Sequence, residues 1–168
     1  MTTQVRRWTP EDFDAIRQVA WDTWESAYGA FIPEKDRRSF HEDYYSFPKL
    51  TDLYNLEHAD GCVVELDGVI VGYSKSYWSA QRKEFFITSL YVLPEYQNRG
   101  LGKKMLDFGI NTARKYKVDR VWLGVMVKNQ PAVEWYERQD FHFVETRPFT
   151  IGNTTIDDFI GYKIIDQT

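Results

Sequence analysis

Between Phe85 and Tyr116 the hydrophobic period changes once, and that change constrains the fold more than any other feature of the chain. A β-branched and aromatic run from Phe85 to Val92 stops at Pro94, and a short polar loop with Gly100 and Gly102 follows. Then Met105, Leu106, Gly109, Ile110 and Ala113 recur along one helical stripe toward Tyr116. A strand, a turn and a helix start therefore follow one another directly, with both glycines where the helix begins. Helix N-termini carry N–H groups without intrahelical acceptors and a partial positive charge, so such a turn is a ready anion site. Glycine lets that backbone approach a phosphate closely, and Arg99, Lys103 and Lys104 add formal charge beside it.

Spacing separates the known phosphate loops, although a plain glycine-bearing surface turn also stays open. The P-loop needs four residues between its glycines and then Lys-Ser/Thr, and neither is present. A dinucleotide fingerprint would need a further glycine where Met105 stands. The pattern that fits is Gln-x-x-Gly-x-Gly, as Gln97-Asn98-Arg99-Gly100-Leu101-Gly102. Behind Leu90-Tyr91-Val92 and Pro94, this stretch resembles the acetyl-CoA pyrophosphate loop of the GNAT acetyltransferase superfamily.

The remaining pattern gives the surroundings of the loop. Val5 to Trp8 reads as a first strand. Thr9-Pro10-Glu11-Asp12 supplies an N-cap, a proline at the first helical position and acids in the first turn. Phe13, Ile16, Ala20 and Trp24 then predict a helix to about Tyr28 or Gly29. Pro33 opens a second helical stretch bearing Phe40 and Tyr44, and Pro48 restarts a short third with Leu50, Leu53, Tyr54 and Leu56. From Gly61 the period becomes that of strands: Cys62–Leu66 and Val69–Trp78 flank Asp67-Gly68, a hairpin turn, and Lys83–Val92 leads into the loop. Gly109 inside the following helix predicts close packing on a sheet. Arg120–Val127 is nearly all apolar and reads as a central buried strand. Asn129 caps a short helix through Tyr136, and strands at about Phe141–Pro148 and Thr154–Ile164 close the chain through Gly152-Asn153. The order β-α-α-β-β-β-α-β-α-β-β predicts one mixed α/β domain over residues 1–168.

That order is also the GNAT layout, a twisted, mostly antiparallel sheet with helices on both faces. A second motif, Asn129 through Phe141, is similar to the family's Asn-x-x-Ala-x-x-x-Tyr-x-x-x-Gly-Phe signature, with Asp140 in place of the glycine. The resemblance implies acetyl-CoA as co-substrate and assigns roles along the chain. Backbone groups of Leu90, Tyr91 and Val92 would hold the pantetheine, with an N–H near Leu90 facing the oxyanion. Gln97, Asn98, Arg99, Gly100, Leu101, Gly102 and Lys103 would hold the pyrophosphate, and Asn129 would hydrogen-bond the cofactor. Tyr136 would protonate the leaving thiolate; a phenol, with an ordinary pKa of about 10, is protonated at neutral pH yet can give its proton up. Either role has a plain alternative: Asn129 as an ordinary N-cap, Tyr136 as a core aromatic. For the general base, some relatives place a glutamate where this chain has Gly124. Others use an acid on the strand before the loop, where Glu84 and Thr88 stand, and a water relay serves as well.

Composition excludes several other classes. The 168 residues contain no apolar run long enough to span a membrane, and Met1–Arg7 lacks the apolar core of a secretory signal. A single cysteine, Cys62, allows no internal disulfide, fits a reducing cytoplasm and reads as a buried strand residue. His41, His58 and His142 have no ligand spacing, so no metal is expected. The net charge of −4 speaks against nucleic acid as the main partner. The first 60 residues hold 12 Asp/Glu, 7 Lys/Arg and 11 of the 28 aromatics. Carboxylates and aromatic faces together suit a small cationic amine, and the Trp-Leu-Gly-Val strand also resembles bacterial polyamine acetyltransferases. Peptide N-termini or lysines as acceptors, and an acyl-CoA-binding module without catalysis, are the alternatives. A homodimer joined at a sheet edge is a further expectation.

Overall fold

The computed structural model describes residues 1–167. Seven strands share one sheet: β1 (Thr3–Arg7), β2 (Ala59–Leu66), β3 (Val69–Ser79), β4 (Glu84–Val92), β5 (Arg120–Met126), β6 (His142–Ile151) and β7 (Thr154–Ile164). They lie in the order β1-β2-β3-β4-β5-β7-β6, antiparallel throughout except where β4 meets β5. Five helices cover the sheet: α1 (Phe13–Tyr28), α2 (Glu34–Tyr45), α3 (Phe47–Asn55), α4 (Leu101–Arg114) and α5 (Gln130–Arg138). The predicted mixed α/β layout holds. The short third helix expected at Pro48 is α3, with Ser46 Oγ accepting from Lys49 N at its start, so three helices precede β2.

Helices lie on both faces. Under α1–α3 the core is Phe13, Ile16, Val19 and Tyr45 packed on Val63 and Tyr73. Under α4 and α5 it is Leu106, Ile110 and Val133 packed on Phe85, Ile87, Val121 and Leu123. Burying each such side chain contributes roughly 2 kcal/mol. Gly109 does what mid-helix glycine predicts: a Cβ there would stand 3.1 Å from Ile87 Cδ1, so its absence lets α4 settle onto β4. Cys62 is fully buried under α4, and burial pushes its thiol up to about 12, which makes it inert packing.

Two turns follow their sequence cues. Asp67 and Gly68 both take positive φ, 50° and 82°, as a two-residue hairpin with the sheet's twist requires. Asp140, standing where the motif has glycine, adopts φ 65°. The helix end keeps its form, with Phe141 N donating to Tyr136 O at 3.1 Å.

Candidate functional site

Between β4 and β5 the sheet comes apart. Only Phe85, Phe86 and Ile87 pair with β5, opposite Val121, Trp122 and Leu123. A bulge explains where this happens. Ser76 pairs with Ile87 but Lys75 pairs with Ser89, so Thr88 is an extra residue that turns β4 away just beyond its last contact with β5. From Thr88 to Val92 the β5-facing edge of β4 is unpaired, and a cleft of about 1100 Å³ runs through the gap. It joins the N-terminus of α4 on one face to the α1–α2 wall on the other.

The α4 end is shaped for an anion. Asn98 and Gly100 have φ of 61° and 78°, and this left-handed alternation turns successive N–H groups inward. No side chain caps the helix, and its first backbone bond is Lys104 N to Gly100 O, which leaves the amides of Leu101, Gly102 and Lys103 as donors without acceptors. Gly102 packs so closely that a Cβ would meet Trp135 Cζ2 at 3.3 Å. The pyrophosphate of a CoA thioester fits these donors. The side chains contribute less than the motif suggests. Gln97 Nε2 bonds Val92 O at 2.9 Å and so fixes the loop to β4. Arg99 lies over Tyr96 and donates to Glu95 O, and Lys103 pairs with Asp107 at 2.6 Å.

The opposite wall is aromatic. Trp24, Phe40 and Tyr44 stack in sequence, with ring centroids 4.3 and 4.2 Å apart. Trp24 Nε1 donates to Tyr91 Oη at 2.9 Å, and Tyr45 hydrogen-bonds both Tyr91 and Ser89. Leu90 faces α4 while Tyr91 faces α1, so consecutive residues of β4 serve the two halves of the cleft. Tyr136, on α5, lines the cleft where the halves meet, packed against Trp135 and Phe141. Burial pushes the phenols of Tyr28, Tyr45, Tyr73 and Tyr136 well above their usual value, so all four are firmly protonated. Asn129 occupies the N-cap position of α5 but makes no side-chain cap; its amide bonds Tyr28 instead. Plain capping therefore does not account for that residue.

Most of the predicted residues converge: Leu90, Tyr91, Val92, Gln97, Asn98, Gly100, Leu101, Gly102, Lys103, Asn129 and Tyr136 all line the cleft, with Arg99 just outside it. Glu84 does not join them. It begins β4, on the far side of the paired segment and roughly 16 Å along the strand from Ser89. The acids of the first 60 residues also stay away from the cleft. Asp12 is held by Arg6 and Thr9, and Asp36 by Thr154 and Asn153.

Charged residues that the sequence patterns did not single out also line the cleft, Asp158 and Lys75 among them. Asp158, on β7, has an Oδ1 that is buried without a hydrogen-bond partner, and burial with Asp157 beside it pushes its carboxyl up to about 6. Lys75, on β3, lines the cleft, and burial pulls its ammonium down to about 8. The sequence held no local signal for either: β7 also carries Asp157 and Lys163, and Lys75 stands between two serines in β3.

A parallel strand pair that splays beside an uncapped, glycine-bearing helix start is the architecture of an acyltransferase fed by a CoA thioester. The relatives agree. The Acetyltransferase (GNAT) family profile matches residues 13–141. An uncharacterised N-acetyltransferase of Mycobacterium tuberculosis is 34% identical over 149 residues, covering 89% of this chain and 95% of that one. The peptidyl-lysine N-acetyltransferase YiaC of Escherichia coli is 30% identical over 98 residues, 58% of this chain and 60% of that one. Among solved structures, the PaiA N-acetyltransferase of Thermoplasma acidophilum, in complex with coenzyme A, superposes with a TM-score of 0.83 at 23% identity, covering 98% of this chain and 100% of that one. The chain belongs to the GNAT acetyltransferase family. It is an N-acetyltransferase, and acetyl-CoA is its co-substrate. Among the described residues no helix is long and apolar enough to cross a membrane, and no group of His, Cys, Asp and Glu could hold a metal.

Proposed function

We propose that this enzyme moves the acetyl group of acetyl-CoA to the primary amine of a small molecule held against the Trp24–Phe40–Tyr44 wall. The observation that carries the reading is the continuous cleft from the α4 N-terminus to that wall, with Tyr136 at the junction. Acetyl-CoA brings an activated thioester carbonyl. The amides of Leu101, Gly102 and Lys103 hold its pyrophosphate, and the free edge of β4 at Leu90, Tyr91 and Val92 takes the pantetheine as an added strand. The Leu90 N–H faces the carbonyl oxygen as charge develops there, and Asn129 swings from Tyr28 to the cofactor. Tyr136 gives its proton to the departing sulfur. Burial raises the proton affinity of the departing thiolate as it does that of the phenol, so Tyr136 carries its proton until the sulfur leaves.

A small cationic amine such as a polyamine is the acceptor that suits the aromatic faces. The support from carboxylates is narrower than the charge of the N-terminal third suggests, since the acids lining the cleft among the described residues are Asp158 and, on α5, Glu134. Lys75 favours a second reading, in which the acceptor carries a carboxylate beside its amine, as an amino acid or peptide does. The name of the Escherichia coli relative is consistent with it. CoA release measured across polyamines, amino acids, aminoglycosides and peptides separates the two. Lys75→Gln raises KM for carboxylate-bearing amines about tenfold, the loss of one charge-assisted contact, and leaves polyamine turnover unchanged. Turnover confined to peptide N-termini would sink the small-amine reading. A cytoplasmic setting, where Cys62 stays reduced, completes the proposal, and size-exclusion chromatography tests for a homodimer joined at the outer edge of β1 or β6.

A further inference from the structure

An acetyltransferase whose acceptor enters as an ammonium needs a group to take one proton before attack, because only the free amine has a lone pair. On β5, Gly124 lines the cleft and offers no side chain to take it. A Cβ there would stand 3.1 Å from Ile160 Cδ1 and 3.7 Å from Asp158 Oδ2, so the space a β5 side chain would fill is occupied from β7. The register explains the exchange. Met126 lies opposite Asp158 and Gly124 opposite Ile160, which puts Asp158 on the same face as position 124 and beside it.

We propose that Asp158 is the catalytic base of this enzyme, receiving its proton directly from the acceptor ammonium in the acceptor half of the cleft. The inference rests on the acetyltransferase reading. A buried carboxylate oxygen without a partner is unfavourable unless something completes it, and an ammonium of the acceptor is the donor that Oδ1 lacks. The other groups around it leave that place open. Arg147, opposite Asp158 on β6, is turned to Glu145 at 2.6 Å, and Lys128 lies over the ring of Phe31. Tyr28 from α1 faces Asp158 as a neutral phenol, and Asp157 adds only negative charge. A carboxyl pushed up to about 6 is ionised at neutral pH yet basic enough to accept a proton.

The step balances as follows. One ammonium proton passes to a carboxylate oxygen of Asp158. The freed nitrogen lone pair attacks the thioester carbonyl, the C–N bond forms and the C–S bond breaks. Tyr136 protonates the sulfur and is restored by the second nitrogen-bound proton, while Asp158 returns its own to water through the open cleft. An ammonium and a thioester become an amide, a thiol and one released proton.

The test is the pH dependence of kcat/KM together with variants at this position. The wild type should lose activity in acid with a midpoint near 6. Asp158→Asn should lower kcat about 10²–10⁴-fold and remove that limb, while acetyl-CoA binding by calorimetry stays as in the wild type. Asp158→Glu, which keeps the charge, should retain the limb and part of the rate. Carboxyl ¹³C shifts in the ligand-free protein give a readout apart from turnover, with a titration near 6 expected. Wild-type turnover and an unchanged limb in Asp158→Asn would overturn the assignment, as would a carboxyl titrating near 4. Failure of the acetyltransferase reading looks different: wild-type protein releases no CoA with any amine, and the base falls with it.

Discussion

Tyr136 and Asp158 are perturbed by the same cause, desolvation in a narrow cleft, with opposite consequences for the folded state. A buried phenol is neutral at working pH, so its raised pKa does not oppose folding. Tyr136→Phe keeps the ring against Trp135 and Phe141, so stability should be unchanged while kcat falls about 10²-fold and the acetyl-CoA Kd holds. Equal turnover in the two proteins would remove Tyr136 from the chemistry. A buried carboxylate is different. The folded pKa of Asp158, about 6, lies above the ordinary 3.8, so the native state holds the proton more tightly than the unfolded chain does. Stability from this group is therefore greatest below pH 3.8 and declines as pH rises toward 6. Asp158→Asn should raise Tm at pH 7–8 by on the order of 2–4 °C, a small figure because water reaches part of the side chain, and change it little near pH 3.5. A variant slower in catalysis yet harder to melt is what an acid kept for function predicts.

At the scale of elements, glycine and its substitutes mark where the backbone itself must act. Gly100 supplies the left-handed turn that aims the α4 amides, and Asn98 reaches the same region because its short polar side chain tolerates it. Asp140 ends α5 in that conformation without glycine's freedom. Asp140→Gly should raise stability by about 0.5–1 kcal/mol, read as a shift in chemical denaturation, with kcat unchanged. A loss of stability would mean that the 3.7 Å contact from Asp140 to Lys163 outweighs the backbone strain, which its exposure argues against. In the β6–β7 turn, Gly152 has φ 57° and a Cβ there would collide with Asp36 Oδ1. That close approach lets Asp36 bond Asn153 N and Thr154 Oγ1, tying α2 with its Phe40–Tyr44 stack to the far side of the sheet.

Across the whole molecule, two carboxylates hold segments that are distant in sequence. Asp12 accepts two bonds of 2.8 Å from Arg6, which also pairs with Glu65, so the start of α1 is fixed to β1 and β2. The Arg6 bonds hold the Asp12 carboxyl below its usual range, and Thr154 with Asn153 does the same for Asp36. Both stabilise the fold above the unfolded carboxylate pKa and lose that effect as pH falls through their lower folded values. Thermal melts below about pH 4 should therefore steepen, and Asp12→Asn and Asp36→Asn should each flatten the slope. The sequence by itself determined what is local. Periodicity and turn residues defined the strands, the Asp67-Gly68 hairpin and the helices, and two spaced motifs marked the donor half of the cleft through Asn129 and Tyr136. These signals survive in one dimension because each depends on neighbours within a turn or two. Tertiary structure alone decided where charges point. The acids of the N-terminal third suggested a cationic acceptor by number, yet Asp12 and Asp36 are engaged elsewhere and none of those acids lines the cleft. Asp158 reaches the site only because β7 inserts between β5 and β6, setting it beside the empty Gly124. Strand order follows from how the whole sheet buries its two faces, and no window of sequence contains that.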